Sequence, residues 1–410
     1  MKLNILTSLT YPEMSAIHHF FAGVVLMMIT AQCQAQNQPA LSGNIALSPG
    51  FRTVAYLVQP RSFPEIASSF SGVVVDSAMI GEDGSFAFLQ FQAPETATFY
   101  ELVVQSENSK YTNKLTDETP VAANYFPVVL KKGSALRLRA QQSQLLNTGK
   151  TATNDLDNSA LQELIAIRIK TFNQFHRLLP GDPQHDDTAV LEAAARLEGY
   201  RQPLIAFANT THSYWAALLA VRWVSPESDY ERVPEFLHQQ CARWQKTQPD
   251  QAFTAQLCAL SAPGKLPLMI GDTVPDFGLP MENGDTLSLY KIRGKKLTVI
   301  DLWASWCAPC RRENRQVLLP IWEKYKEDGL QIVGYALDSN AGAWKAAIEK
   351  DGAVWAQSSH LSGDSSPFLD ALHVTTIPAN FIIDSHGKII ARNVHGEALG
   401  ALVGKMMSEE

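Results

Sequence analysis

Cys307 and Cys310, in the run Trp306-Cys307-Ala308-Pro309-Cys310, are the residues of this chain best placed to do chemistry. Thiols at that spacing on the first turn of a helix can close a small disulfide ring and open it again. The free backbone N–H groups of such a turn also favour a thiolate at the first cysteine. The same spacing is half of a zinc site, but no second C-x-x-C or H-x-x-x-H accompanies it, so no metal is expected. A purely structural bridge would gain little, because closing so short a loop removes little chain entropy. The pair points to a dithiol that cycles.

The elements that must position it can be read outward from the motif. Leu297 to Trp303 is a nearly unbroken apolar run, as a central strand covered on both faces requires. It breaks at Ala304-Ser305, and the cysteines then open a charged, helix-compatible segment that extends to about Tyr325. Pro309, early in that helix, removes an N–H that would have had no partner. Asp301 interrupts the apolar strand with a carboxyl group. Buried there without a partner, its charge would be costly and its pKa driven up; the alternative is a surface-facing Asp at a strand end. Further signals are a hairpin about Asn283-Gly284, a strand at Gln331 to Ala336, a helix around Ala341 to Lys350 and a short strand near Ala353 to Ala356. Ala379 to Ile383 and Lys388 to Ala391 flank the turn Asp384-Ser385-His386-Gly387, and Gly396 to Met407 suits a terminal helix. Strand and helix alternate, which predicts an α/β sheet with one hairpin.

Four stretches of this region together resemble the TlpA/ResA-like thiol-disulfide oxidoreductases of the thioredoxin superfamily, relatives of the AhpC/TSA redoxins. They are Gly271-Asp272-Thr273-Val274-Pro275-Asp276-Phe277, Asp301 to Cys310, Arg311-Arg312-Glu313, and Thr376-Ile377-Pro378 before a strand. The resemblance covers about one third of the chain and implies a thioredoxin-like fold. It implies that Cys307 attacks a substrate disulfide as the thiolate and that Cys310 resolves the mixed disulfide. Asp301, six residues before Cys307, resembles the buried acid that relays the proton of the second cysteine. Glu313 matches the family's acidic residue after the motif, although a charge complementing the helix dipole is an equal reading. The resemblance also implies that Pro378 is cis and that Trp306, Ala308, Pro309, Ile377 and Pro378 form the substrate-binding surface. It implies no cofactor beyond the Cys307–Cys310 disulfide. The implied partners are protein disulfide and thiol substrates and a membrane thiol carrier as electron donor, in a role like that of cytochrome c maturation factors. The sequence departs from the pattern in two places: no counterpart is seen of the lysine that often accompanies the buried acid, and Arg315 stands where a kink-forming proline is common. Peroxiredoxins need a threonine three residues before the reactive cysteine, and Ala304 occupies that position.

The remainder of the 410 residues sets the context. That length predicts two or three domains. With 46% hydrophobic and 18% charged residues the composition is globular. The net charge of −7, with no basic stripe, argues against a nucleic-acid partner. Residues 1–35 read as an export signal, with the apolar block Phe20 to Thr30 followed by small and polar residues, which places the protein in the periplasm or cell envelope. Cys33 is a candidate for lipidation and membrane anchoring. Four cysteines then remain, and Cys241 and Cys258 are either a structural disulfide or two buried small residues.

Residues 36–146 alternate in short runs with turn signals and predict an all-β sandwich. Asn147 to Asp157 reads as a linker. Residues 158–260 have helical periodicity and predict a bundle of four or five helices, broken at Leu179 to Asp187. Ser159 to Gln162 and Ser228-Asp229-Tyr230-Glu231 both have capping-box form. His176, His185, His212 and His238 lack ligand spacing, and Asn209-Thr210-Thr211 matches a glycosylation acceptor. After a second linker, Ser261 to Pro267, residues 266–410 form the thioredoxin-like part. The expectation is a multidomain, exported thiol-disulfide oxidoreductase. A peroxiredoxin-like peroxidase is the enzymatic alternative, and an envelope binding protein whose upstream domains carry the function is the non-enzymatic one.

Overall fold

A computed structural model describes residues 38–70, 72–117, 119–175, 187–227 and 229–408. The signal stretch with Cys33, the histidines His176 and His185, and most of the break after Leu179 lie outside these residues.

Eight strands occupy the first part: β1 (Leu41–Ala46), β2 (Phe51–Gln59), β3 (Val73–Met79), β4 (Ser85–Ala87), β5 (Thr98–Ser106), β6 (Tyr125–Leu130), β7 (Leu136–Gln141) and β8 (Lys150–Ala152). They form two sheets, ordered β4-β1-β7-β8 and β3-β2-β5-β6. The alternation Leu136-Arg137-Leu138-Arg139 places the two leucines inside and the two arginines outside, which is how a sheet with one covered face is built. Asn147 to Asp157 is not a free linker. A short helix, α1 (Leu145–Thr148), leads into β8, which extends the sheet beside β7, and the Thr151 N–H donates to Gln162 at 3.1 Å.

Five helices follow: α2 (Leu156–Phe175), α3 (Asp187–Thr210), α4 (Tyr214–Val224), α5 (Pro234–Thr247) and α6 (Ala252–Leu260). All eleven residues of α4 are buried, so this helix has no solvent face and must be surrounded. Its neighbours include the second sheet. Trp215 stacks on Phe99 and donates to the Ala97 carbonyl at 3.0 Å, and Trp223 donates to the Tyr125 hydroxyl at 3.0 Å. Arg168 of α2 forms two 2.8 Å hydrogen bonds to Asp117 while its guanidinium lies 4.3 Å from the Trp223 ring centre. One hydrophobic core therefore runs from Leu41 through Leu102 and Leu218 to Leu257, shared by strands and helices. A disulfide joins Cys241 of α5 to Cys258 of α6.

The Ser159 to Gln162 pattern does not cap, and Ser228, the capping residue of the second pattern, lies outside the described residues. Helix α2 begins before Ser159; Asp155 performs the capping, accepting from the Asn158 N–H at 3.0 Å. Helix α5 begins at Pro234 with Val233 before it, and Glu231 is engaged elsewhere. In the first case a neighbouring residue, Asp155, takes the place of the local pattern.

The last part pairs a hairpin, β9 (Gly278–Pro280) and β10 (Thr286–Ser288), with a five-stranded sheet. Gly284 turns the hairpin with φ of 92°, a conformation that costs glycine little. After helix α7 (Leu289–Ile292) comes β11 (Leu297–Trp303), all seven residues of which are buried. Then follow α8 (Ala308–Glu313), a π-helical turn at Asn314–Leu318, α9 (Leu319–Tyr325), β12 (Leu330–Ala336), α10 (Ala341–Asp351), β13 (Ala356–Ser358), α11 (Pro367–Leu372), β14 (Ala379–Asp384), β15 (Ile389–Arg392) and α12 (Gly396–Ser408). The sheet order is β13-β12-β11-β14-β15, with β12 parallel and β14 antiparallel to β11. Ile300 and Leu302 face one apolar layer, and Leu297 and Val299 face the other, the alternation a doubly covered strand demands. The expected strand at Ala353 to Ala356 lies slightly later in the chain, because Ala353 and Val354 close α10 with backbone bonds to Ile348 and Gly352.

Candidate active site

The apolar layer beneath the end of β11 contains both cysteines of the motif. Trp303 ends the strand, the Cys307 N–H donates to the Ala304 carbonyl at 3.1 Å, and α8 then starts with Cys307 as its N-cap. Cys307 and Cys310 are disulfide-bonded. Both are buried, but Cys307 at 6% is more exposed than Cys310 at 1%. The Cys310 N–H points at the Cys307 sulfur at 3.3 Å. This arrangement puts unpaired helix N–H groups where a thiolate would form. Pro309 lies in the first turn, where it interrupts no helical bond. Trp306, 63% exposed, and the half-buried Ala308 and Pro309 flank the sulfur.

The loop before Cys307 is anchored by a residue that sequence reasoning passed over. Asp338, buried just after β12, accepts from the Ser305 N–H at 2.9 Å and also binds the Ser305 hydroxyl. Asp351, at the end of α10, holds the helix after the motif. It pairs with Arg311 and with Arg315, and Arg311 also donates to the Ser305 carbonyl at 3.1 Å. An Asp at the end of a strand or helix is common, so nothing in the sequence marked either one.

Asp301 is 3% exposed at the middle of β11, on the face shared with Val299. Burial pushes its pKa well above the usual carboxylate range, and the neighbouring Glu313 carboxyl adds to the effect. No hydrogen bond from a described residue reaches it. Asn380, its cross-strand neighbour, is committed to the Val394 backbone at 2.6 and 3.0 Å. Glu313 is buried as well, and its two oxygens are held separately: His395 Nδ1 lies 2.8 Å from one, and the Gly396 N–H donates to the other at 3.0 Å. Glu313 thus faces Asp301 from the end of α8 and bonds the start of α12. His395 has no motif spacing to Glu313, and only the fold brings them together.

The Ile377–Pro378 bond is cis. It precedes β14, which runs antiparallel to β11 with Ala379 opposite Leu302. The turn therefore sits at the end of β11 from which the Cys307 loop departs. Ile377 packs against the layer that holds the cysteines. Among the described residues no group of three or more His, Cys, Asp and Glu side chains could hold a metal, and His212 and His238 are exposed. No described helix is long and apolar enough to cross a membrane.

The part of the chain that carries this site matches known proteins. Residues 270–392 match the AhpC/TSA family. The thiol-disulfide oxidoreductase ResA of Geobacillus kaustophilus is 31% identical over 128 residues, 30% of this chain and 69% of that protein. ResA of Bacillus subtilis is 27% identical, covering 31% and 68%. Among solved structures, a thiol-disulfide oxidoreductase from Bacteroides fragilis is 32% identical over 33% of this chain and 99% of that one, with a TM-score of 0.31. The thioredoxin domain of a thiol-disulfide oxidoreductase from Bacteroides vulgatus is 29% identical over 34% and 99%, with a TM-score of 0.33.

Proposed function

Because the chain belongs to the ResA-like thiol-disulfide oxidoreductases, with a thioredoxin-like C-terminal part, we propose that it reduces or isomerises protein disulfides outside the cytoplasm. The observation that carries the proposal is the asymmetry of the pair, with Cys307 at the helix N-cap and the less enclosed of the two, and Cys310 inside the first turn. In the reducing direction the Cys307 thiolate attacks one sulfur of a substrate disulfide, forms a mixed disulfide and releases the other sulfur as a thiolate. Cys310, deprotonated, then attacks Cys307, which closes the ring and releases the second substrate thiol. Two electrons pass to the substrate, and the released sulfurs take up the protons that the two cysteines give up. On this reading the buried carboxyl groups Asp301 and Glu313 would take and return the proton of Cys310, a role supported by the raised pKa of Asp301 and the neighbouring Glu313 carboxyl. Trp306, Ala308, Pro309 and the Ile377-Pro378 turn form the docking surface.

The dithiol would be regenerated by a membrane thiol carrier, with residues 1–35 directing export and Cys33 as a lipid anchor. The upstream sheets and helices would serve as a recognition platform. Ala304, buried before the motif, offers no hydroxyl where a peroxidase would use one, which favours disulfide exchange over peroxide reduction. The test is insulin reduction with dithiothreitol as electron source. Cys307→Ser should abolish turnover and Cys310→Ser should trap the mixed disulfide; wild-type rates in Cys307→Ser would refute the proposal. A glutathione titration gives the direction of electron flow: a potential near about −270 mV marks a reductant and one near about −120 mV an oxidant.

A further inference from the structure

The cis turn is held from outside the part of the chain that contains it. Glu231 and Arg232 lie in the segment between α4 and α5, upstream of the second linker. The Glu231 carboxylate accepts four hydrogen bonds from two consecutive residues. The Thr375 N–H and hydroxyl donate at 3.0 and 2.5 Å, and the Thr376 N–H and hydroxyl at 3.1 and 3.0 Å. Four donors use about all the acceptor sites a carboxylate has. On the other side of the turn, Arg232 Nη1 donates to the Pro378 carbonyl at 2.8 Å. Arg392 of β15 fastens the clasp by donating to the Glu231 carbonyl at 3.1 Å.

Between the clasped groups lies one residue, Ile377, whose backbone groups the clasp leaves alone. The N–H of Thr376 and the C=O of Pro378 are occupied, while the N–H and C=O of Ile377 have no hydrogen bond to a described residue. A residue that offers both groups outward is what an antiparallel partner strand needs, since one opposing residue exchanges both bonds with it. The turn lies beside the Cys307 loop, so an extended segment paired there would bring its own cysteine to the sulfur.

We propose that Glu231 and Arg232 are positioning residues for disulfide exchange. They hold the cis turn in the one register that leaves Ile377 free to pair with substrate backbone, so that the upstream helices set how a protein substrate docks. The inference rests on the exchange chemistry given under Proposed function. A clasp that served only to join the two parts of the chain would affect folding but not docking, and the kinetics separate the two.

The experiment measures steady-state insulin reduction by the full-length protein, with dithiothreitol as reductant and folding checked by circular dichroism. Glu231→Ala should raise KM about tenfold and change kcat less than about twofold, the signature of lost binding rather than lost chemistry. Glu231→Asp should recover part of the loss. Thr376→Val, which removes one bond of the clasp from the other side, should raise KM by a smaller factor in the same direction. An unchanged KM in whichever of Glu231→Ala and Thr376→Val folds would overturn the proposal, as would a fall in kcat with KM unaltered. Cys307→Ser, run in parallel, tests the exchange chemistry separately: activity surviving there refutes that chemistry, whereas loss there with normal Glu231→Ala kinetics refutes the clasp alone.

Discussion

Asp301 keeps its proton in the folded chain at pH values where an unfolded chain, with an ordinary aspartate near about 3.9, has lost it. The folded state then binds more protons than the unfolded state. Stability conferred by the folded chain must therefore fall as pH rises from about 4 through the raised pKa of Asp301. Asp301→Asn should remove that slope and stabilise the protein at neutral pH, measured by urea unfolding at several pH values; a slope equal to that of the wild type would exclude the assignment. The same substitution should slow closure of the Cys307–Cys310 ring about a hundredfold if the carboxyl takes the Cys310 proton, which stopped-flow fluorescence of Trp306 can follow. His395 is a second case. It bonds a buried Glu313 oxygen at 2.8 Å, and His395→Ala should cost roughly 1 to 3 kcal/mol in urea unfolding by leaving that oxygen unpaired. Asp301 could be picked out from the sequence because a carboxyl inside an apolar run is conspicuous. His395, Asp338 and Asp351 could not, since each is an ordinary polar residue whose partner is distant in the chain.

At the scale of elements, the strand, turn and helix from Val299 to Asn314 were legible because hydrophobic continuity, a break and a helix-compatible charged run coincide. The continuation was not. A single helix through Tyr325 is the simplest reading of the periodicity, yet the structure inserts a π-helical turn at Asn314–Leu318. Such turns often mark functional sites. Here the inserted turn follows Glu313 directly and carries Arg315 to Asp351. A local pattern describes a helix start only when no better partner exists: Asp155 caps in place of Ser159, and Glu231 accepts from four donors elsewhere. Asp351 is buried between Arg311 and Arg315, whose side chains are 16% and 43% exposed. Asp351→Ala would leave Arg311 largely buried without its charge partner and should cost about 3 kcal/mol in denaturant unfolding. An unfolding midpoint unchanged by Asp351→Ala would mean that the pair contributes nothing net.

On the scale of the whole molecule, the strands of residues 41–152 and the helices of 156–260 share a core, and the redox part is attached to it by the Glu231 clasp, with Glu235 adding a bond to the Ile270 N–H at 3.0 Å. Sequence periodicity distinguished strand-rich from helix-rich stretches, but it carries no information on whether two such stretches close separately. The structure answers that question in α4, whose eleven residues are all buried, Arg222 included. The Cys241–Cys258 bridge closes a loop with a separation of 17 residues. In the chain-entropy model such a bridge contributes about 3 kcal/mol, so replacing both cysteines by alanine should lower the free energy of unfolding by that amount while leaving the Cys307–Cys310 potential unchanged. A shift in that potential would show that the two bridges communicate.

The second bridge also alters electron counting. The described part of the oxidised chain stores four electron equivalents, two at Cys307–Cys310 and two at Cys241–Cys258. A thiol count over the four cysteines of the described residues will therefore overstate the catalytic capacity twofold, before any contribution from Cys33. Only the pair at the helix start should be drawn down by substrate, so stoichiometric titrations need the silent pair subtracted before a turnover is assigned.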